Sequence, residues 1–455
     1  MKLLQGLLAV SLLAPPAASA AETPDPRVAW LREHAVALAT VDPAAPDLAD
    51  LAPLEEALAG ARVVLLGEAT RGDGSAFLAK ARLVRFLHER MGFDVLALEC
   101  GVLACDRAWQ EIRAGGDPAA ALTGALLPLY AESEQFRPVL DLVAARRGSD
   151  RPLAVAGFDA QVGAGAEGTM AELGRVLRRL GSDPAGIPGF DAAAAVVRRV
   201  AEEAYATGAE PVPSKAERAR FAATLEEIRR RLRTPAPEGA EAGPPPDEGE
   251  LDLWRRHLDN LAAAARMAWE LGVYRPGLGV PAEVTNIGHR QAAENLLWLL
   301  NERYPGRKIV VWSITVHLAR DLHRLETGDL DTKARLERFV TVGDLLDEAL
   351  GEEVYALGVT AFQGHAGNPF QAPYALLQPT PGSFEELMGR TGLEAAFVDL
   401  RGLRKAGRPG RWLTGPLIAR PLSYLELRGS WPRHLDGLLF LRTLEPSRRA
   451  GRPGS

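Results

Sequence analysis

The fold is decided by two apolar runs, ARVVLL at residues 61–66 and DVLALE at residues 94–99. Neither run alternates between apolar and polar side chains, which favours strands that are covered on both faces. Residues 75–91 between them have the spacing of an amphipathic helix, and Gly92 ends that helix. The sequence therefore predicts a right-handed β-α-β unit with parallel strands.

Further apolar runs extend this unit along the chain. Strands are predicted at residues 153–159, 308–312, 353–359, 395–399 and 437–441. Between the predicted strands at residues 153–159 and 308–312, about residues 162–300 have an almost wholly helical pattern. We therefore expect an α/β fold, with a mainly parallel central sheet flanked by helices and a large helical insertion.

The composition excludes several classes of protein. Hydrophobic side chains make up 47% of the 455 residues and charged ones 25%, which excludes a disordered chain, a collagen and a polytopic membrane protein. The 53 basic and 59 acidic side chains give a net charge of -6, so nothing favours a phosphate-rich partner. A small-molecule ligand and no nucleic-acid partner are expected.

The N-terminus has the pattern of a secretory signal. Lys2 precedes an apolar run at residues 3–13, a Pro-Pro pair, and the triplet Ala-Ser-Ala that ends at Ala20. The run is too short to span a hydrocarbon core of about 30 Å, although a retained anchor is the alternative. We expect cleavage after Ala20, a secreted or periplasmic protein without membrane association, a domain at residues 21–445, and a disordered tail at 446–455.

The chain has two cysteines, Cys100 and Cys105. Five positions apart at the start of a predicted helix, they point to different faces, so a disulfide is possible but not favoured over two small buried side chains. The sequence contains no Cys/His cluster of the structural zinc type. We predict no metal site and no cofactor.

Acidic residues end three of the predicted strands. Glu68, Glu99 and Asp159 stand at or just beyond the carboxyl ends of their strands. In open α/β sheets, ligands bind along that edge. Any one of these residues could instead cap the following helix, but three together favour a binding site.

Several segments resemble the erythromycin esterase family. VVLLGEATRG at residues 63–72 is similar to the family's strand followed by G-E-A-T-H-G, and GFDAQ at 157–161 is similar to its G-F-D-x-Q. VVWSITVH at 310–317 is similar to its V-V-W-A-H-N-x-H. The resemblance implies an α/β esterase in which the first-motif histidine acts as a general base on the water that opens a macrolactone ring.

Two family histidines are replaced in this sequence. Arg71 stands at the first-motif histidine and Ile314 at the first histidine of the later pair. A guanidinium has no acceptor lone pair and stays protonated, so Arg71 cannot act as that base. We expect Arg71 to keep the neighbouring Glu68 and Glu99 carboxyls ionised.

Other family positions are retained. The expected catalytic residues are Glu68, Glu99 and His317, and the expected substrate-binding residues are Arg71, Lys80 and Asp159. In this arrangement His317 is the base, a glutamate orients its ring, and Arg71 or Lys80 stabilises an oxyanion.

Each of these side chains also has a structural interpretation. His317 could be a core histidine and Lys80, in mid-helix, a surface charge. Two further histidines, His289 and His365, are weaker candidates for the site. Gly288 and His289 stand where the family has an Arg-Asp pair.

Three functions follow from these residues. The first is a divergent hydrolase of an ester or lactone of a small molecule, with macrolide hydrolysis itself not expected. The second is a catalytically inactive protein that binds an anionic small molecule or glycan through Arg71 and Lys80. The third, a metal-dependent hydrolase with Glu68, Glu99 and His317 as ligands, is disfavoured by the positive charge of Arg71.

Overall fold

A computed structural model describes residues 25–160, 168–234, 244–273, 280–406 and 410–451. The predicted signal sequence at residues 1–20 and Gln161 of the GFDAQ motif lie outside the described residues. Within these ranges, no helix combines the length and the apolar character needed to cross a bilayer.

The centre of the fold is a mainly parallel sheet, as predicted. Its strands, with a separate β9/β10 pair, are β1 (Val36–Ala37), β2 (Val63–Glu68), β3 (Phe93–Gly101), β4 (Ala154–Asp159), β5 (Lys308–Ile314), β6 (Val354–Ala366), β7 (Tyr374–Ala375), β8 (Ala395–Asp399), β9 (Leu417–Ala419), β10 (Leu427–Gly429) and β11 (Gly437–Leu444). The main sheet has the order β1-β8-β11-β6-β2-β5-β3-β4, and β7 pairs with β6. The strands from β11 to β4 are parallel, whereas β1, β7 and β8 pair antiparallel.

Helices cover the sheet. In chain order they are α1 (Pro26–His34), α2 (Leu54–Ala57), α3 (Gly74–Met91), α4 (Val102–Arg113), α5 (Pro118–Ala121), α6 (Pro128–Ala131), α7 (Arg137–Arg146), α8 (Thr169–Arg179), α9 (Phe190–Ala201), α10 (Lys215–Arg231), α11 (Glu248–Val273), α12 (Ala282–Trp298), α13 (Thr315–Leu318), α14 (Leu330–Leu336), α15 (Val342–Leu350), α16 (Phe384–Thr391), α17 (Leu400–Ala406), α18 (Arg411–Thr414) and α19 (Trp431–His434). The β-α-β unit predicted from residues 61–99 is β2-α3-β3, and Gly92 ends α3 with a left-handed φ of 76°.

The helical insertion is confirmed. Helices α8 to α12 all lie between β4 and β5, and two asparagines attach them to the end of β4. Asn295 Nδ2 donates to the Phe158 carbonyl at 2.9 Å, and Asn260 Nδ2 donates to the Asp159 carbonyl at 3.4 Å. Because α11 and α12 are fixed there, they form one wall above the carboxyl ends of the strands.

The two cysteines form a disulfide, so the prediction of two separate thiols is wrong. The reason is that Cys100 lies in β3, which continues to Gly101, while Cys105 lies in α4, which begins at Val102. The two cysteines therefore do not lie on opposite faces of one helix. The two Cα atoms are 6.2 Å apart across this strand-to-helix turn, within the range that a disulfide spans.

The tail is also better ordered than predicted. The buried Ser447 donates its backbone N–H to the Gly72 carbonyl at 2.7 Å and to the Gly367 carbonyl at 2.9 Å. Its hydroxyl lies 2.6 Å from that of Ser133. The prediction of disorder is wrong for residues 446–451, because backbone hydrogen bonds rather than an apolar pattern hold the segment; residues 452–455 lie outside the described part.

Candidate active site

Four neighbouring strands end at the candidate site. In the order β2, β5, β3, β4 they place Glu68, Ser313 with Ile314, Glu99, and Asp159 along one edge of the sheet. The short helix α13 follows β5 directly and carries His317. Gly67 allows this turn to approach β2, because a Cβ atom at Gly67 would lie 2.8 Å from the Cα of Thr315.

A cleft of about 500 Å³ opens above this edge. Its floor is polar and contains Arg71, Glu99, Ser313, His317 and His289. Its walls are mainly apolar, with Thr285, Thr332, Arg335 and Ser423 as polar members, and include Phe158, Met267, Leu271, Val284, Ala292, Ile314, Val316, Leu336, Phe339, Leu422 and Leu427. Such a shape fits a small molecule with one polar group at its inner end.

Arg71 points into the cleft and is bonded to Glu99. Its Nε donates to Glu99 Oε2 at 2.8 Å, and its Nη2 donates to Oε1 at 3.1 Å. Burial would raise the pKa of Glu99, but the positive charge of Arg71 outweighs burial and the pKa falls to about 2. Glu99 is therefore a permanent carboxylate, suited to holding Arg71 rather than to taking protons.

The loop that carries Arg71 is fixed by the buried Asp73. The carboxylate of Asp73 accepts from the Thr70 backbone N–H at 2.8 Å, from the Thr70 hydroxyl at 2.6 Å and from the Tyr424 hydroxyl at 3.0 Å. Ser447 N–H bonds the same loop at Gly72. These contacts fix the loop, and the two hydrogen bonds to Glu99 hold the guanidinium towards the cleft.

His317 lies between Arg71 and a second histidine. Its Nε2 is 3.0 Å from Arg71 Nη2, and its Nδ1 is 2.6 Å from Nε2 of His289. Burial lowers the pKa of His317 to about 3, helped by His289 and Arg71 and opposed by Glu99. The imidazole is thus neutral at physiological pH and has a lone pair for a proton, but with Arg71 against it the low pKa makes it a weak base in the resting site.

Glu68 and Lys80 form a second pair below the cleft floor. Both side chains are fully buried and in direct contact, and Lys80 Nζ lies 4.0 Å from the centre of the Trp312 ring. Burial raises the pKa of Glu68 to about 7 and lowers the pKa of Lys80 to about 8, in both cases against the attraction between them. Lys80 is therefore not a surface charge. Arg71 contacts Glu99 and not Glu68, and the cation that opposes the effect of burial on Glu68 is Lys80.

Sequence reasoning missed two polar neighbours of these pairs and undervalued a third. Tyr130, in the short helix α6, donates to Glu68 Oε1 at 2.7 Å and lies 3.4 Å from Glu99 Oε2. Ser313 donates its hydroxyl to Glu99. His289 contacts His317. The one sign of this in the sequence was that His289 stands where the family has the aspartate of its Arg-Asp pair.

The other candidates are spread around the site. Asp159 lines the cleft beside Phe158, whereas His365 lies on an exposed part of β6. The carboxylate of Glu68 forms an ion pair with Lys80, and that of Glu99 forms one with Arg71. Among the described residues, no cluster of three or more His, Cys, Asp or Glu side chains has the spacing of a metal site.

A larger hollow of about 750 Å³ lies on the helical insertion. Three of its four arginines are paired with acids, as in the contacts of Arg229 with Asp259 and of Arg255 with Glu248. Positive and negative side chains line it together, so it offers no concentrated charge to a ligand.

The fold is α/β, and the family match and a hydrolase relative place the chain in the esterase-like hydrolase class. A sequence model of the erythromycin esterase family matches residues 88–444, and the chain belongs to this family. The protein "Putative hydrolase YbfO" of Bacillus subtilis (strain 168) is 24% identical over 433 residues, which cover 92% of this chain and 91% of that protein.

Solved structures share the fold. A succinoglycan biosynthesis protein superposes with a TM-score of 0.69 at 18% identity, covering 93% of this chain and 97% of that one. A mutant of the erythromycin esterase EreC in its open conformation gives a TM-score of 0.61 at 17% identity, covering 90% and 97%.

Proposed function

We propose that this protein hydrolyses an ester or lactone of an apolar small molecule, with His317 as the general base and Arg71 as the oxyanion-stabilising residue. The observation that carries this proposal is the 3.0 Å contact between His317 Nε2 and Arg71 Nη2 at the inner end of an apolar cleft. A neutral imidazole and a fixed cation at one point are the two groups that ester hydrolysis uses.

The cleft walls support an apolar substrate. Val280 and Leu425 line its mouth and are 45% and 47% exposed, so the apolar surface continues from the interior to the entrance. A glycan would leave most of its hydroxyls without hydrogen-bond partners against such walls. The apolar walls therefore favour a hydrocarbon-rich ester or lactone over a sugar. Macrolide hydrolysis is not part of the proposal, because Arg71 and Ile314 replace two of the family's histidines.

The reaction uses water as the nucleophile. His317 Nε2 takes a proton from water as the water oxygen attacks the carbonyl carbon, and the guanidinium of Arg71 stabilises the resulting oxyanion. The tetrahedral intermediate then collapses, the ester C–O bond breaks, and the leaving oxygen takes the proton from His317. The products are a carboxylic acid and an alcohol, which a lactone keeps in one molecule.

Arg71 has to move during this reaction. In the resting site its Nη2 lies against the same His317 nitrogen that must accept the proton. A carbonyl oxygen that gains negative charge attracts the guanidinium more strongly than a neutral imidazole does. The substrate therefore draws Arg71 away and exposes the lone pair, while Glu99 keeps hold of the guanidinium.

A ligand-binding function without turnover is the second candidate. The observation in its favour is again the Arg71 contact, because a capped base does not react. In that case Arg71 binds the carboxylate of an apolar acid, and His317 serves only to position the guanidinium.

The two candidates are separated by assaying p-nitrophenyl acetate, butyrate and octanoate and a medium-ring lactone, each with and without chelator. We expect turnover that rises with acyl length and falls by about 10²- to 10⁴-fold in His317→Gln. His88→Gln is the matched control, because His88 is a buried histidine of α3 that bonds the Phe93 carbonyl at the start of β3, away from the cleft. Absence of turnover, together with stabilisation by octanoate that is lost in Arg71→Met, would establish the binding protein instead.

We further propose that the chain is exported and cleaved after Ala20. The disulfide between Cys100 and Cys105 supports this, since such bonds persist mainly in oxidising compartments. N-terminal sequencing of the protein from fractionated cells should find a chain that begins at Ala21. A full-length chain in the cytosolic fraction would contradict export.

A further inference from the structure

Three polar contacts connect Arg71 to the backbone through two histidine rings. Arg71 Nη2 lies 3.0 Å from His317 Nε2, and His317 Nδ1 lies 2.6 Å from His289 Nε2. His289 Nδ1 in turn lies 2.8 Å from the carbonyl oxygen of Val340. The proton positions are constrained at both ends, because a guanidinium only donates and a carbonyl only accepts.

These constraints fix both rings when both are neutral. His289 Nδ1 must carry the proton that bonds Val340, which leaves the lone pair of His289 on Nε2. His317 must then donate from Nδ1 to that lone pair, so its own lone pair lies on Nε2 and accepts from Arg71. Every donor meets an acceptor in this arrangement, and no other pair of neutral tautomers achieves this.

The charges around the rings agree with neutral imidazoles. Arg71, Arg335 and Glu99 face His317, and Arg71, Glu99 and Asp344 face His289. Burial is the main cause that lowers the pKa of both rings, and the carboxylates only partly oppose it. His289 is 6% exposed and its ring centre lies 5.9 Å from that of Phe339, so the second ring is held by packing as well as by Val340.

We propose that His289 is a positioning residue that fixes His317 in its Nδ1–H tautomer and directs the Nε2 lone pair towards Arg71 and the cleft. A carboxylate commonly has this orienting role and also stabilises the imidazolium. His289 supplies the orientation without the negative charge. His317 therefore stays neutral, and usable as a base, well below the ordinary imidazole pKa of about 6.5.

The use of this tautomer in catalysis rests on the proposed hydrolase function, but the tautomer itself does not. It is measured on the resting protein, labelled with ¹⁵N at histidine, from long-range ¹H–¹⁵N correlations, with His317 assigned by loss of its signals in His317→Gln. We expect a proton on Nδ1 and a bare Nε2 at pH 7 and at pH 5.5. A proton on Nε2, or a charged ring at pH 5.5, would overturn the proposal.

Substitutions of His289 separate positioning from packing. His289→Gln keeps an acceptor near the place of Nε2 and should preserve the Nδ1–H tautomer, whereas His289→Phe keeps a ring without an acceptor and should lose it. His289→Asp adds a charged acceptor, so the pKa of His317 should rise. The acidic limb of the pH–rate profile should then shift to higher pH. An unchanged tautomer in all three variants, with only the melting temperature altered, would show that His289 has a structural role alone.

His88→Gln is again the matched control. The Nδ1 of His88 also bonds a backbone carbonyl, that of Phe93 at 3.0 Å, but at the opposite end of β3. This variant should leave the His317 tautomer unchanged. A protein that has the predicted tautomer but hydrolyses no ester would refute the proposed function alone, whereas an active esterase with His317 protonated on Nε2 would refute only the role of His289.

Discussion

The carboxylates of Glu68 and Glu99 lie at the ends of two parallel strands on either side of β5, and each contacts one cation, yet the two pairs differ in the exposure of the cation and in the direction of the carboxyl pKa shift. The Glu68–Lys80 pair is fully buried, and burial raises the pKa of its carboxyl to about 7. In the Glu99–Arg71 pair the arginine side chain is 28% exposed to the cleft, and the pKa of the carboxyl falls to about 2.

The difference shows that a glutamate at a strand end does not define a role by itself. Lys80 reaches Glu68 from inside the domain, over the Trp312 ring, and closes that pair off from solvent. Arg71 comes from a loop and leaves its guanidinium beside His317. We therefore interpret the first pair as support for the floor and the second as part of the reacting site.

Removal of Lys80 should have the largest effect on stability. Lys80→Met leaves Glu68 buried without its cation, and breaking such a pair costs about 3–5 kcal/mol in the free energy of unfolding. The folded-state pKa of Glu68, about 7 with Lys80 present and higher once Lys80 is removed, lies above the unfolded value of 4.5. Protonation of Glu68 therefore offsets the loss most fully below about pH 4.5, and the loss grows as the pH rises from there, so it should be larger at pH 8 than at pH 6. Urea unfolding at pH 6 and pH 8 measures both effects.

The double variant Glu68→Gln/Lys80→Met provides the control for this experiment. It removes both charges and should recover much of the stability at pH 8. A loss in Lys80→Met that is equal at pH 6 and pH 8 would show that Glu68 is not the cause.

Removal of Arg71 should act on the reaction more than on stability. Arg71→Met deletes the group that we assign to the oxyanion, and the loss of one such donor lowers kcat by about 10²- to 10³-fold. Steady-state hydrolysis of p-nitrophenyl octanoate provides the measurement, with Arg71→Lys as the charge-preserving comparison. An increase in kcat would mean that Arg71 only blocks the base.

A disulfide beside Glu99 ties the end of β3 to α4, and removing it measures how much this bond stabilises that strand end. Cys100 follows Glu99 directly and is joined to Cys105 in α4. A loop this short contributes about 2 kcal/mol by the chain-entropy estimate. Thermal unfolding of Cys100→Ser/Cys105→Ser should show that loss, and an unchanged melting temperature would contradict it.

His257 is another buried histidine, and it differs from His317 in its hydrogen bonding. Unlike His317, it has no hydrogen-bond partner for either ring nitrogen among the described residues, and burial lowers its pKa to about 3. His257→Leu should therefore stabilise the fold by about 1 kcal/mol at pH 8. A depressed pKa costs the wild type stability as the pH falls from about 6.5 towards 3, so the gain should increase at pH 5. Urea unfolding at the two pH values gives the comparison, and a gain that shrinks at pH 5 would contradict the assignment.

The sequence was sufficient for the parts of the site that depend on strand order alone. Continuous apolar runs identified the parallel strands, and parallel strands bring Glu68, Glu99 and Asp159 to one edge. The helical insertion followed from a long stretch of helical periodicity.

The side-chain partners depended on details that periodicity does not contain. A lysine in mid-helix has the pattern of a surface charge, and only the position of α3 on β2 and β5 buries Lys80. The disulfide depended on whether β3 ends one residue before or after Cys100. The direction of Arg71 depended on Asp73, which is bonded by Tyr424 from a distant part of the chain.

The most direct test of the proposed division of roles measures, for His317→Gln and Lys80→Met side by side, the hydrolysis rate per folded molecule and the free energy of unfolding. We expect His317→Gln to lose hydrolysis by about 10²- to 10⁴-fold with little change in stability. We expect Lys80→Met to lose about 3–5 kcal/mol of stability while its folded fraction keeps hydrolysing within a few-fold of wild type. Full hydrolysis in His317→Gln, or loss of hydrolysis in folded Lys80→Met, would show that these roles are assigned wrongly.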